Sequence, residues 1–126
     1  MDLKYWDLYQ MNKPYNLEER TFLFAKECRL YIRTLAKTTS NIEDGKQLVR
    51  SSGSIGANYI EANEKLGDKD LIFRLKISRK EAKESKYWLR LLHELNPDQK
   101  INSDSLLYEV EELRKILSSI ITKTSK

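Results

Sequence analysis

The chain has little of what most catalytic, metal-binding and disulfide-stapled proteins are built from. Its 126 residues include one cysteine, one histidine, two prolines and four glycines. A lone Cys28 can form no intramolecular disulfide and no thiolate cluster for zinc. His93 stands near the end of a helical pattern with no second histidine and no acidic pair at metal-ligand spacing, so it reads as a residue at the surface or at the edge of a core. Scarce glycine and proline leave too little turn material for an all-β fold. No window approaches the roughly 20 apolar residues of a membrane span, and Met1-Asp2-Leu3-Lys4-Tyr5 lacks the basic-then-apolar order of a signal peptide. The expectation is a soluble, cytoplasmic, non-enzymatic chain with no cofactor, no metal and no membrane contact.

What is present is charge and helical periodicity. Charged residues make up 33% and hydrophobic residues 40%, the former above the roughly 25% of an average globular protein. That mixture suits amphipathic helices with solvated faces. At this length a second independent core would leave each half marginal, so one domain is expected. The net charge of +4 and pI of about 9.1 are compatible with nucleic acid or an acidic partner and require neither.

Residues 1–15 form an arm crowded with Tyr5, Trp6, Tyr9 and Tyr15 and lacking a clean helical stripe. Its rings need a surface to pack on, in this chain or in a neighbouring subunit. Residues 16–126 carry four amphipathic patterns. The first starts at Asn16, an N-cap with Glu19 three positions on. It runs through Leu17, Phe24, Cys28, Ile32 and Leu35 and ends at Thr38-Thr39-Ser40. The second starts at Ser40 or Asn41, passes Leu48, Ser52, Ile55, Tyr59 and Ala62, and ends at Gly67. Its middle, Ser51-Ser52-Gly53-Ser54-Ile55-Gly56-Ala57, is nearly all small. Each mid-helix glycine costs about 1 kcal/mol relative to alanine, yet the apolar spacing continues unbroken, so a closely approached helix is expected there rather than a loop. The third pattern, capped by Asp68, is a strict four-three seam of Leu71, Leu75, Ser78, Ala82, Ser85, Leu89 and Leu92, stopped by Asn96-Pro97-Asp98. The fourth starts at Ser103 or Asp104 and repeats the seam in Leu106, Val110, Leu113, Leu117 and Ile120. Short polar links between four such helices predict an antiparallel up-down four-helix bundle.

Ser51-Ser52-Gly53-Ser54 has neither the frame of a nucleophile elbow nor the lysine and flanking glycines of a phosphate loop. Lys76, Arg79, Lys83, Lys86 and Arg90 recur at spacings of three and four, so they fall beside the apolar seam of the third helix. Such a stripe could track a phosphate backbone. It could equally be a solvated face neutralised by Glu81 and Glu84 on the same helix, or meet acids such as Glu61 and Glu64 of a neighbouring subunit. Flanking bulk at Phe22, Tyr31, Ile72, Phe73, Tyr87 and Trp88 fits either a bundle corner or an interface with another chain.

The run Gln47 to Ala62 resembles the signature of the 23S ribosomal RNA intervening-sequence protein family. The resemblance rests on Arg50-Ser51, Ser54-Ile55, Asn58 and Glu61-Ala62, with Lys80 to Arg90 similar to the family's third helix. Ala62 stands where many members carry glycine, and residues 1–15 lie outside the match. The resemblance implies an antiparallel four-helix bundle assembled into a homo-oligomeric ring, a pentamer, of bacterial origin. A related branch, the accessory proteins of diversity-generating retroelements, implies nucleic-acid binding through basic surfaces and a protein partner. Within the signature, Arg50, Ser54, Asn58 and Glu61 share one side of their helix. With Glu84 across from them they read as a structural polar network that fixes register, or as a binding surface.

Overall fold

A computed structural model describes residues 16–64 and 66–125. They form α1 (Leu17–Arg33), α2 (Thr39–Ala62), α3 (Asp68–Leu95), a 3₁₀ turn (Pro97–Gln99) and α4 (Lys100–Thr124). Links of five residues or fewer force each helix to run antiparallel to the one before it. Each helix packs on two neighbours: α2 on α1 and α3, and α4 on α3 and α1. That places α1 and α3 diagonally across the bundle. The aromatic arm, residues 1–15, lies outside the described residues.

The ends of the helices follow from local chemistry. The Asn16 side chain accepts a hydrogen bond from the Glu19 amide at 3.1 Å and starts α1 as expected. Thr38, not Ser40 or Asn41, caps α2 by accepting from the Asn41 amide at 3.1 Å. Asn41 is thereby free for a tertiary role. Its amide and that of buried Asn96 donate to each other's oxygens at 2.9 Å, tying the start of α2 to the end of α3. Gly67, with φ at 123°, makes the turn into α3. Asp68 is the first helical residue rather than the cap, where its carboxylate still faces the positive end of the helix dipole. α4 starts at Lys100, before the expected Ser103, because the 3₁₀ turn feeds straight into it.

The core is the four seams meeting. Phe24, Cys28, Leu48, Ile55, Leu89, Leu92, Val110, Leu113 and Leu117 are fully buried. Each large side chain in such a position contributes about 1.5–3 kcal/mol of transfer free energy. In the last turns of α4 the buried residue is Ile121, while Ile120 is only half-buried. A straight helix drifts against a strict four-three repeat, so a spacing of four takes over after Leu117.

The small middle of α2 serves two neighbours. Toward α3, Ser51 Oγ accepts from Ser85 Oγ at 2.8 Å and the Ile55 carbonyl accepts from Ser78 Oγ at 2.7 Å, while Ser52 accepts from Arg29 of α1 at 3.4 Å. Its glycines face α1. A Cβ on Gly56 would sit 2.7 Å from Thr21 Oγ1, and one on Gly53 would sit 3.2 Å from an Arg29 nitrogen. The helix is continuous through both, and their cost in helix propensity is offset by close packing on two sides.

One interaction in the core has no precursor in the apolar pattern. Arg20 on α1 donates from Nε and Nη2 to the two carboxylate oxygens of Glu109 on α4, at 2.6 and 2.7 Å. Glu109 is 0% exposed. Removing one member of a buried pair strands the other charge and costs about 3–5 kcal/mol, whereas replacing both by apolar groups is often neutral. Urea unfolding of Arg20→Met, which strands the fully buried Glu109 carboxylate, is therefore expected to show a loss of that size, and the double variant Arg20→Met/Glu109→Leu to regain most of it.

Candidate nucleic-acid interface on α3

Three sides of α3 are spoken for. Leu75, Ser78, Ala82, Ser85, Leu89 and Leu92 face the core. Toward α2, Glu81 and Glu84 both meet Arg50: Arg50 Nη1 lies 3.2 Å from Glu81, and Nη2 pairs with Glu84. Glu84 also accepts from the Trp88 indole at 3.3 Å. The Arg50 hydrogen bond holds the Glu84 carboxyl below its ordinary range. Toward α4, Lys86 pairs with Glu111 at 3.1 Å, Arg79 donates to Ser118 Oγ at 3.4 Å, and His93 Nδ1 shares a 2.6 Å hydrogen bond with Ser103 Oγ.

The fourth side faces away from the bundle. Along it run Phe73, Lys76, Lys80, Lys83, Tyr87 and Arg90, at spacings of three, four, three, four and three, and all six are exposed. No acidic residue interrupts this line. Lys76, Lys80, Lys83 and Arg90 have no ion-pair partner among the described residues. Of the five cations expected to act together, Lys76, Lys83 and Arg90 stay on this outer face, while Arg79 and Lys86 turn to α4. Lys80 takes their place, and periodicity counted from the seam alone did not single it out.

The expected polar network divides in the same way. Arg50 and Glu84 join across α2 and α3. Asn58 only donates to the Ser54 carbonyl of its own helix at 2.9 Å, and Glu61 is exposed on α2 with no ion pair among the described residues. Glu81, Ser51, Ser78 and Ser85 complete the cross-helix contacts; Ser78 and Ser85 were visible as seam positions, whereas Glu81 was expected to neutralise lysines of its own helix and Ser52 rather than Ser51 was placed in the seam.

Elsewhere the chemistry is quiet. Burial pushes the Cys28 thiol far above its ordinary value, so it is no thiolate nucleophile. Among the described residues no group of three or more His, Cys, Asp or Glu could hold a metal ion, and no helix is long and apolar enough to cross a membrane. A groove of about 740 Å³ lies outside α1 and α2, lined by Phe22, Leu30, Ala57 and Ile60 with Arg29 and Arg33 at its rim. Its α1 wall belongs to the helix diagonal to α3, and its α2 wall to a helix that adjoins α3.

Glu111 marks the edge of the basic surface. Arg114 and then Lys86 hold its carboxyl down at about 2, against an ordinary 4.5. A carboxyl depressed on folding adds stability that is complete above the unfolded value and is lost as pH falls toward the folded one. The melting temperature should therefore fall between about pH 4.5 and 2, and Glu111→Gln should flatten part of that fall. Parallel melting curves for the two proteins would rule out the contribution.

The comparisons with known proteins agree with this architecture. A family model described as 23S rRNA-intervening sequence protein matches residues 15–119. No curated protein matches the sequence. A crystal structure of a protein with unknown function from the S23 ribosomal protein family of Bacteroides thetaiotaomicron is similar at 33% identity and a TM-score of 0.75, over 82% of this chain and 96% of that one. The signature on α2, the four antiparallel helices and the matched span lead to one conclusion: the chain belongs to the 23S rRNA-intervening sequence protein family.

Proposed function

We propose that this protein is a non-enzymatic, self-associating bundle that binds structured RNA through the outer line of α3. The observation that carries the reading is where Arg50 sits. A lysine-rich helix face is usually neutralised by acids on the same helix. Here Glu81 and Glu84 are drawn toward α2 by Arg50, which leaves Lys76, Lys80, Lys83 and Arg90 uncompensated on the surface. An uncompensated cation line is what a phosphate backbone binds, with counterion release as the driving force.

Self-association is assigned to the α1–α2 side. Phe22 is 60% and Ile60 42% exposed along the α1–α2 groove, and apolar bulk beside charged rows is costly to leave in water. A second copy seated there would leave α3 open to RNA. The ring of five is the form that the family resemblance implies. The groove also favours a second reading, in which it holds a different protein and the chain is a scaffold or accessory subunit that makes no direct nucleic-acid contact.

Two measurements test these readings. Light scattering should give a mass near five times 14.9 kDa, about 75 kDa, and Phe22→Asp/Ile60→Asp should reduce it toward the single chain. Fluorescence anisotropy with an RNA hairpin should give affinity that falls steeply with salt. The triple variant Lys76→Gln/Lys80→Gln/Lys83→Gln should lose at least about tenfold and lower the salt slope by about 2 to 3. Lys86→Gln, already paired with Glu111, should change affinity by less than about twofold. Salt-insensitive binding, or none, would remove the nucleic-acid role. A monomer would remove the ring.

A further inference from the structure

The outer line of α3 is bracketed by rings as well as studded with charge. Phe73 and Tyr87 are 57% and 55% exposed, so neither ring is needed to fill the core. They stand fourteen residues apart, about 21 Å along the helix, with Lys76, Lys80 and Lys83 between them. Resting on the nucleic-acid reading above, we propose that this line takes an unpaired stretch of nucleic acid, with bases stacked on Phe73 and Tyr87 and phosphates held by the three lysines.

Three features favour unpaired strands over duplex. A duplex keeps its base faces inside its own stack, so exposed rings gain little from it, whereas an unpaired base offers a π-face to any ring that can reach it. The length also fits: about 21 Å spans roughly six stacked nucleotides at about 3.4 Å each, within the range of known single-strand sites.

The third feature is that both rings are held in place before any ligand arrives. Tyr87 meets Trp88 edge-on, with ring centres 5.0 Å apart and planes at 77°. Trp88 is in turn held by Glu84, and Glu84 by Arg50. At the other end the Arg74 guanidinium carbon lies 6.0 Å from the centre of the Phe73 ring, and Arg74 is itself steadied by Asp70 at 3.7 Å. A cation beside a ring strengthens stacking on a nucleotide, which brings a negative phosphate with its base.

The probes are a single-stranded RNA of about twelve nucleotides, a DNA of the same sequence and the corresponding RNA duplex. The full chain should bind both single strands more tightly than the duplex, and the RNA-to-DNA ratio tells which source fits better. Phe73→Leu and Tyr87→Leu keep apolar bulk but lose the π-face. Each should weaken single-strand binding by about tenfold, with duplex affinity and melting temperature unchanged. In a Trp6→Phe background, Trp88 fluorescence should change on adding single strands and stay constant with duplex. If the leucine variants bind single strands as the parent does while the lysine triple variant weakens every probe, the stacking inference is overturned and the phosphate-binding reading stands. If the lysine triple variant also binds unchanged, both fall. Polyglutamate displacing RNA at equal charge would likewise overturn it, by reducing the line to a generic anion surface.

Discussion

Much of this molecule depends on how closely α2 and α3 approach. Their facing midsections carry serines rather than leucines, and the backbones come near enough for Ser78 to reach the Ile55 carbonyl and Ser85 to reach Ser51. With bulkier residues the helices would separate and those hydroxyls would lose their partners in a site without water, at about 1–3 kcal/mol each. At this spacing Arg50 spans the seam and takes both Glu81 and Glu84. The composition of the buried seam thus decides the charge of the solvent face on the far side of α3. A packing constraint has become an electrostatic one.

The polar groups inside the bundle have a shared role. Four amphipathic helices with similar leucine seams could slide by a turn or pair in another order at modest cost. The Asn41–Asn96 amide pair fixes the start of α2 against the end of α3, and the Arg20–Glu109 pair fixes α1 against α4. Such groups add little net stability over apolar substitutes, yet a shifted register would pull both pairs apart inside the core. α1 needs this most, since its contact with α4 is less extensive than those that α3 makes.

The sequence made the seams legible because apolar periodicity reports directly on burial: Leu75, Ser78, Ala82, Ser85, Leu89 and Leu92 all lie inside. The capping of α1 by Asn16 was legible for a different reason, its hydrogen bond to the Glu19 amide being local. What periodicity could not give was the side to which a flanking residue turns. Lys83 and Lys86 are about 60° apart around a helix of 3.6 residues per turn. Whether Lys86 is solvated or paired depends on Glu111 of α4, a residue 25 positions away. Lys80 was passed over because the stripe was counted beside the seam, whereas the outer face lies opposite it. Arg20 and Glu109 were invisible because a charged residue at the edge of an apolar stripe reads as solvated until its partner is known. Long-range pairing is the part of the fold that one-dimensional spacing does not contain.

The diagonal arrangement bears on how a weak site could matter. A line of four cations and two rings on one helix is a modest surface, and the phosphate contacts proposed for it would weaken steeply with salt. A single copy would hold a short strand loosely. Association through the α1–α2 groove would set several α3 lines at fixed distances, and once one line is engaged the next meets the same strand at high effective concentration. Avidity of that kind can exceed single-site affinity by about 10²–10⁴ without any new contact. It is lost if the strand cannot reach two lines at once. Short and long strands should therefore part company: one that spans a single line reports the site, and one that bridges neighbours reports the assembly. On the proposed function the groove and the line, on separate faces of one bundle, would work as a pair.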